Sequence, residues 1–313
     1  MNKSAIIIGI KGLNLCLDEK RLLQEKQPLG VILFRRNINN PKQIQRLTRS
    51  IRRILGKEAM ILIDQEGGKV SRLNKDYWKT YPDANYFGKI ASNNLAKAKR
   101  LTYENFKDIG CNLHKLGINF NCAPVLDLKI KGASSVIGSR AFSRSPEIVS
   151  HLALQACKGL LSENVFPIVK HIPGHGRAKV DSHFYTPIIN KTYKYLSRKD
   201  FLPFKNKDIL FAMTAHIVFS KIDNLNTVTH SKKMINLIRN KIGFKNILIS
   251  DDLSMKSLKG KLKENTIKTF KAGCNLALHC NGKIKEIEIV AQNSPFINKF
   301  IIKKTSQFYK ILR

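Results

Sequence analysis

Short apolar, β-branched runs punctuate this chain at Ala5–Ile10, Gly30–Phe34, Met60–Ile63, Ile118–Phe120, Val165–Val169, Ile209–Thr214, Ile247–Ile249 and Asn275–Leu278. Their length and their polar boundaries predict buried strands. The segments between them are long enough for helices, and many show helical spacing. In Pro41–Leu55, for example, Ile44, Leu47, Ile51 and Leu55 recur every three or four residues while Lys42, Arg46, Arg49 and Arg53 take the other faces. Eight runs alternating with helices predict a (β/α)8 TIM barrel, a single domain over residues 1–313. The first run is the least regular, because Gly9 interrupts it, and it could lie partly outside the barrel.

Polar and ionisable residues gather just after the runs. Ile63 is followed by Asp64, Gln65 and Glu66, and Phe120 leads through Asn121 to Asp127. Met213 is followed by Thr214, Ala215 and His216, and Ile249 by Ser250, Asp251 and Asp252. In a barrel the carboxyl ends of the strands converge on one mouth, which is the active face. The richest of these stretches is 170–183, KHIPGHGRAKVDSH, which begins where the fifth run ends. Pro173, Gly174 and Gly176 break both helical and strand periodicity, so this stretch is a loop.

Several chemistries are open at such a mouth. His171, His175, His183 and His216 could ligate zinc, but their spacing lacks the regularity of a helical HExxH and no cysteine lies near, which leaves a metal site a weak alternative. Ser182 has no GxSxG context and no strand-turn-helix elbow. A carboxylate facing a proton donor remains. Asp251 and Asp252 are adjacent on a strand end, where side chains alternate, so only one is expected to enter the mouth and act as a nucleophile. Asp181 and His183 are two apart, which in an extended loop puts them on one side and makes the pair a tunable acid/base.

Charge alters the picture of partners. The 56 Lys and Arg outweigh 22 Asp and Glu to give +34, which favours an anionic partner. The basic residues are spread over exterior helix faces, however, and no nucleic-acid motif is present. The six cysteines form no CxxC pair, as expected in a reducing compartment. The opening MNKSAIIIGIKGLNL carries an apolar core of only about six residues, shorter than the roughly 7–15 of a signal peptide. No run nears the ~18 apolar residues of a membrane span, and a soluble cytoplasmic protein is expected.

The motifs GVILFRRN (30–37), ILIDQEGGKVSRL (61–73), GINFNCAPVLDL (117–128), VIGSRAF (136–142), KHIPGHG with DSH (170–183), MTAHIVF (213–219) and SDDLSM (250–255) occur in order. Together they resemble the single-domain bacterial β-N-acetylhexosaminidases of glycoside hydrolase family three. The resemblance implies a (β/α)8 barrel, release of terminal β-linked N-acetylglucosamine with retention through a covalent glycosyl-enzyme, and no metal or cofactor. By motif, Asp251 corresponds to the nucleophile, Asp252 to its structural neighbour, His183 to the general acid/base and Asp181 to its partner. Asp64, Arg72, Arg140, Lys170 and His171 correspond to sugar contacts. Glu66 is read as the anchor of the turn at Gly67 and Gly68, and His175 and His216 as either site or core histidines. Arg177, Ala178, Lys179 and Ser139 depart from the family pattern, each change removing negative charge near the mouth.

The expected substrate is a peptidoglycan fragment, cut by a monomer without nucleic-acid or membrane partners. Phosphorolysis and a catalytically silent basic binding protein are the alternatives. Gly174 and Gly176 are expected to let the His183 loop swing.

Overall fold

The structure, a computed structural model, describes residues 3–205 and 209–311. Eight parallel strands close a barrel: β1 (Ser4–Gly9), β2 (Pro28–Leu33), β3 (Met60–Ile63), β4 (Phe120–Asn121), β5 (Phe166–Ile172), β6 (Phe211–Thr214), β7 (Ile247–Asp252) and β8 (Leu276–His279). Each strand pairs with its neighbours in sequence. The first run is fully part of this barrel, because β1 pairs with both β2 and β8. Gly9 serves a packing need there, since a Cβ at that position would overlap the carbonyl of Cys280.

The longer helices lie outside the strands, as binary patterning requires. Helix α2 (Pro41–Leu55) begins where the Asn40 side chain accepts the Gln43 N–H at 3.0 Å, with Pro41 in the first turn. Ile44, Leu47, Ile51 and Leu55 are buried against the barrel while Lys42, Arg46, Arg49 and Arg53 stay exposed. The fifth repeat is the exception. Among the described residues the one α-helix between β5 and β6 is the short Tyr193–Ser197, accompanied by a two-residue strand at Ile188–Ile189 and a 3₁₀ turn at Leu202–Lys205.

Two apolar layers hold the molecule together. One lies between strands and helices, and the other fills the barrel. Phe120, Phe166 and Phe211 from β4, β5 and β6 plug the interior, with ring centroids 5.1, 5.4 and 6.4 Å apart. These rings lie below the polar strand ends, so they form a dry floor under the mouth.

Two strands run three residues past their predicted ends. β5 reaches Ile172 and β7 reaches Asp252, so Lys170, His171, Asp251 and Asp252 sit on strands. Both extensions carry one extra residue relative to a neighbour. Lys170 and Ile172 oppose Met213 and Thr214, and Ile249 and Asp252 oppose Leu276 and Leu278. A bulge of this kind re-aims side chains locally.

Phe166→Ala should lower the unfolding free energy by about 3–5 kcal/mol, because no neighbouring ring can fill the space it leaves. Urea unfolding followed by circular dichroism measures this, and a loss below about 1 kcal/mol would mean the barrel interior is loosely packed.

Candidate active site

A cavity of about 680 Å³ opens at the carboxyl ends of the strands. Asp64, Arg72, Arg140, Lys170, His171, Asp181, His183 and Asp251 all line it, so the structure brings together every expected site residue. Glu66, His175 and Asp252 join them.

The floor is a cluster of alternating charges. Lys170 Nζ lies 2.7 Å from Asp64 Oδ1 and 2.7 Å from Glu66 Oε1. Arg140 grips Glu66 with two bonds of 2.8 Å, and Arg72 meets Asp64 at 3.1 Å. Burial alone would raise both carboxyls, but Lys170 and Arg72 hold Asp64 well below the usual range, and Arg140 and Lys170 hold Glu66 at about 2. Burial likewise opposes the charge on Lys170, yet the two carboxylates raise its pKa above that of an ordinary lysine. All of these groups are therefore charged at neutral pH. Glu66 does more than anchor a turn: it orients one cation from β5 and another from the loop after β4.

A second network sits behind the loop. Asp127 is fully buried and accepts His171 Nδ1 at 2.7 Å together with the backbone N–H groups of His171 at 3.3 Å and His175 at 2.6 Å. His175 Nε2 in turn lies 3.0 Å from Ser182 Oγ, which joins the loop's root to its tip. Burial and the neighbouring His171 ring push His175 down to about 4, against the pull of Asp127, so it stays neutral. His216 lies outside the cavity lining. Its ring bonds Thr229 Oγ1 at 2.7 Å and the Asp252 carbonyl at 3.1 Å, as a satisfied core histidine does.

The tip of the loop is different. His183 is exposed, and its Nδ1 lies 2.7 Å from Asp181 Oδ1, which also accepts the His183 N–H at 2.9 Å. The pair sits in a tight turn closed by Asp181, where an extended loop was expected; Asp181 is shared by both His183 donors for that reason. Partial burial would raise the Asp181 carboxyl, but the His183 N–H and ring lower it.

Asp251 and Asp252 do not part to opposite faces. Both line the cavity, because the bulge in β7 breaks the alternation between them. Asp252 is committed to the chain, accepting the N–H groups of Ser254 at 3.0 Å and Cys280 at 3.1 Å. Among the described residues Asp251 accepts only its neighbour's N–H, at 2.8 Å. Burial would raise Asp251, but His216, His171, the Asp252 N–H and Lys170 outweigh it and keep the carboxyl ionised.

The expected glycine hinge is also revised. Gly174 and Gly176 are buried, and a Cβ on Gly176 would overlap the Leu128 carbonyl oxygen. These glycines permit close backbone packing, which locks the root. Arg177 locks it further, bonding Asp200 at 2.8 Å and covering the Tyr195 ring. Exposed chain begins at Lys179 and Val180.

Residues 8–303 match the family described as glycosyl hydrolase family 3 N terminal domain. The chain belongs to that family. A β-hexosaminidase of Nitrosospira multiformis is 33% identical over 287 residues, covering 90% of this chain and 81% of the relative. Native NagZ from Neisseria gonorrhoeae superposes with a TM-score of 0.90 at 31% identity, covering 98% of this chain and 90% of that one. A family 3 β-N-acetylglucosaminidase from Paenibacillus superposes with a TM-score of 0.88 at 27% identity, covering 98% of this chain and 60% of that one. The protein is accordingly a family 3 glycosidase of the β-hexosaminidase type, and the charged cavity is its candidate active site.

Asp127 and Ser182 were missed as site-forming residues. Asp127 had a usable signal, an acid shortly after a strand and a proline, whereas Ser182 acquires its role only through contact with His175.

Gly176→Ala should cost about 1–3 kcal/mol in urea unfolding, since the new methyl must displace backbone; a neutral result would mean the loop root is free to move. Acid should weaken the fold in two stages. The unfolded chain protonates His175 at its ordinary 6.5 while the folded pocket refuses the proton until about 4, so stability falls as pH drops between those values. Glu66, ordinarily 4.5 and held at about 2, adds a further loss between those two values. His175→Gln should flatten the upper stage by up to roughly 1.4 kcal/mol per pH unit. An unchanged slope would mean His175 takes its proton freely in the folded state.

Proposed function

We propose that this protein is an exo-acting, retaining β-N-acetylglucosaminidase that removes terminal N-acetylglucosamine from peptidoglycan fragments. One observation carries the reading: an ionised, half-buried carboxylate, Asp251, shares one cavity with an exposed imidazole, His183, whose Nδ1 is held by Asp181. That is the division of labour a glycosidase needs, a nucleophile at the floor and a proton carrier at the rim. The similarity to the Paenibacillus β-N-acetylglucosaminidase supports the choice of sugar.

In the first step Asp251 attacks the anomeric carbon as the glycosidic bond breaks, and the leaving oxygen takes the proton from His183 Nε2. In the second, water attacks the anomeric carbon, gives its proton to His183 and releases Asp251. Asp181 holds Nδ1 and stabilises the imidazolium before the first step and after the second. The role of acid thus falls to an imidazole where most retaining glycosidases use a second carboxyl.

Asp64, Arg72, Arg140, Lys170 and His171 would hold the sugar. Asp64 offers a carboxylate to hydroxyl donors, while Lys170, Arg72 and Arg140 donate to sugar oxygens. His171 has Nδ1 committed to Asp127, so Nε2 is left to meet a ligand. Acidic fragments suit a chain of +34, whose field would raise the encounter rate. The free cysteines agree with a cytoplasmic location, and strong self-repulsion favours a monomer.

Asp251→Asn should lose on the order of 10³-fold or more in kcat on an aryl β-N-acetylglucosaminide. His183→Ala should lose on the order of 10²–10⁴-fold on a disaccharide and far less on the 4-nitrophenyl glycoside, whose leaving group needs no proton. Free N-acetylglucosamine should form at the same rate with or without phosphate in the buffer. A wild-type rate in the Asp251 variant sinks the nucleophile assignment, and sugar 1-phosphate among the products turns the reaction into phosphorolysis.

A further inference from the structure

Gln65 stands between the two carboxylates of the floor, Asp64 and Glu66, and is itself wholly buried. Its backbone is held by β4. The strands β3 and β4 pair at Leu62 with Phe120 and at Ile63 with Asn121, and beyond that point the Asn121 side chain continues the ladder. Its Oδ1 accepts the Gln65 N–H at 2.9 Å, and its Nδ2 donates to the Gln65 carbonyl at 2.9 Å. The Gln65 side chain reaches the returning limb of the hairpin that follows β3, which a Gly67–Val70 bridge closes. Oε1 accepts the N–H groups of Arg72 at 2.9 Å and Leu73 at 3.2 Å, and Nε2 donates to Ser71 Oγ at 2.7 Å.

Arg72 needs that support because its side chain is weakly anchored. Among the described residues its guanidinium makes one hydrogen bond, to Asp64 at 3.1 Å, and otherwise lies over the Phe34 ring at 5.4 Å. Arg140 differs: two bonds of 2.8 Å to Glu66 and one of 3.0 Å to the Val136 carbonyl fix its guanidinium directly. The place of Arg72 in the cavity is therefore decided at its backbone, and Gln65 holds that backbone. The residue type suits the position. A primary amide both accepts and donates, and it adds no third negative charge between Asp64 and Glu66, as a carboxylate would.

We propose that Gln65 is a positioning residue of the active site: clamped to β4 by Asn121, it fixes the main chain at Arg72 and so aims the Arg72 guanidinium at the sugar. The proposal rests on the reading of Arg72 as a sugar contact and adds the residue through which that contact is made. Gln65 does not line the cavity, whereas Asp64, Glu66 and Arg72 do, so its effect on substrate passes through them. A guanidinium that meets the same sugar oxygen before and during bond cleavage lowers KM and leaves kcat alone. Loss of its aim is therefore read in KM.

The test is a double-mutant cycle on whichever 4-nitrophenyl β-N-acetylhexosaminide wild type cleaves, the glucosamine or the galactosamine derivative. Gln65→Met keeps the length of the side chain and removes its bonds to the hairpin. It should raise KM roughly tenfold while kcat stays within about twofold of wild type. Arg72→Ala should raise KM at least as much, and adding Gln65→Met to it should cost nothing further, because the group that Gln65 aims is gone. A residue that merely kept the fold would cause the same loss in both backgrounds. Should Gln65→Met not fold, Ser71→Ala takes its place, since it removes only the hydroxyl that orients the Gln65 amide; its KM rise of about twofold to threefold should likewise vanish beside Arg72→Ala. Additive losses, a wild-type KM in the Gln65 or Ser71 variant, or a fall in kcat with KM unchanged would overturn the proposal. A wild-type KM in Arg72→Ala alone would fail the sugar-contact reading itself, a result distinct from additivity, and would end the proposal with it.

Discussion

Lys170 is an ammonium buried between two carboxylates, and the mouth of the barrel is organised around that fact. A lone buried cation is among the costliest things a fold can contain. Here Asp64 and Glu66 stand on either side of it, and each carboxylate has a second cation, Arg72 or Arg140. Removing Asp64 or Glu66 would leave three cations facing a single carboxylate, whereas each carboxylate keeps Lys170 if Arg72 or Arg140 is lost. The cluster draws β3, β5 and the loop after β4 into a single constellation. It also keeps the floor polar and charged at neutral pH.

The closed barrel supplies the other half of the arrangement. Parallel strands send their carboxyl ends to one rim, and three phenylalanine rings below that rim exclude water from underneath. Regular strands would place only every second residue in the cavity. Bulges in β5 and β7 relax that limit, so Lys170 with His171 and Asp251 with Asp252 face the mouth as adjacent pairs. Each pair then divides its work. Asp252 is consumed by backbone N–H groups and shapes the chain after β7, while Asp251 keeps its oxygens toward the cavity.

The loop after β5 shows a similar division. Its root is built for rigidity, with Asp127 holding two histidines, Arg177 paired to Asp200 and Gly176 pressed on the chain at Leu128. Its tip carries Asp181 and His183 in an exposed turn tied back through Ser182, the Lys256 N–H and the nearby Thr186 hydroxyl. The proposed role of His183 as proton carrier draws on that exposure.

The sequence by itself determined the barrel, the mouth and the residue types gathered there. Eight β-branched runs alternating with amphipathic helices leave little other choice, because period and length are local properties. Asp64, Lys170 and Asp251 were legible because each closely follows an apolar run, and Asp181 and His183 because they belong to the ionisable loop that follows the fifth run. What only the tertiary structure decided are features that depend on residues far apart in sequence. The bulges arise from register against a neighbouring strand, the role of Glu66 from Arg140, and that of Ser182 from His175. Gly174 and Gly176 illustrate the limit best: a glycine signals either freedom or close approach, and only the chain at Leu128, packed against Gly176, distinguishes the two.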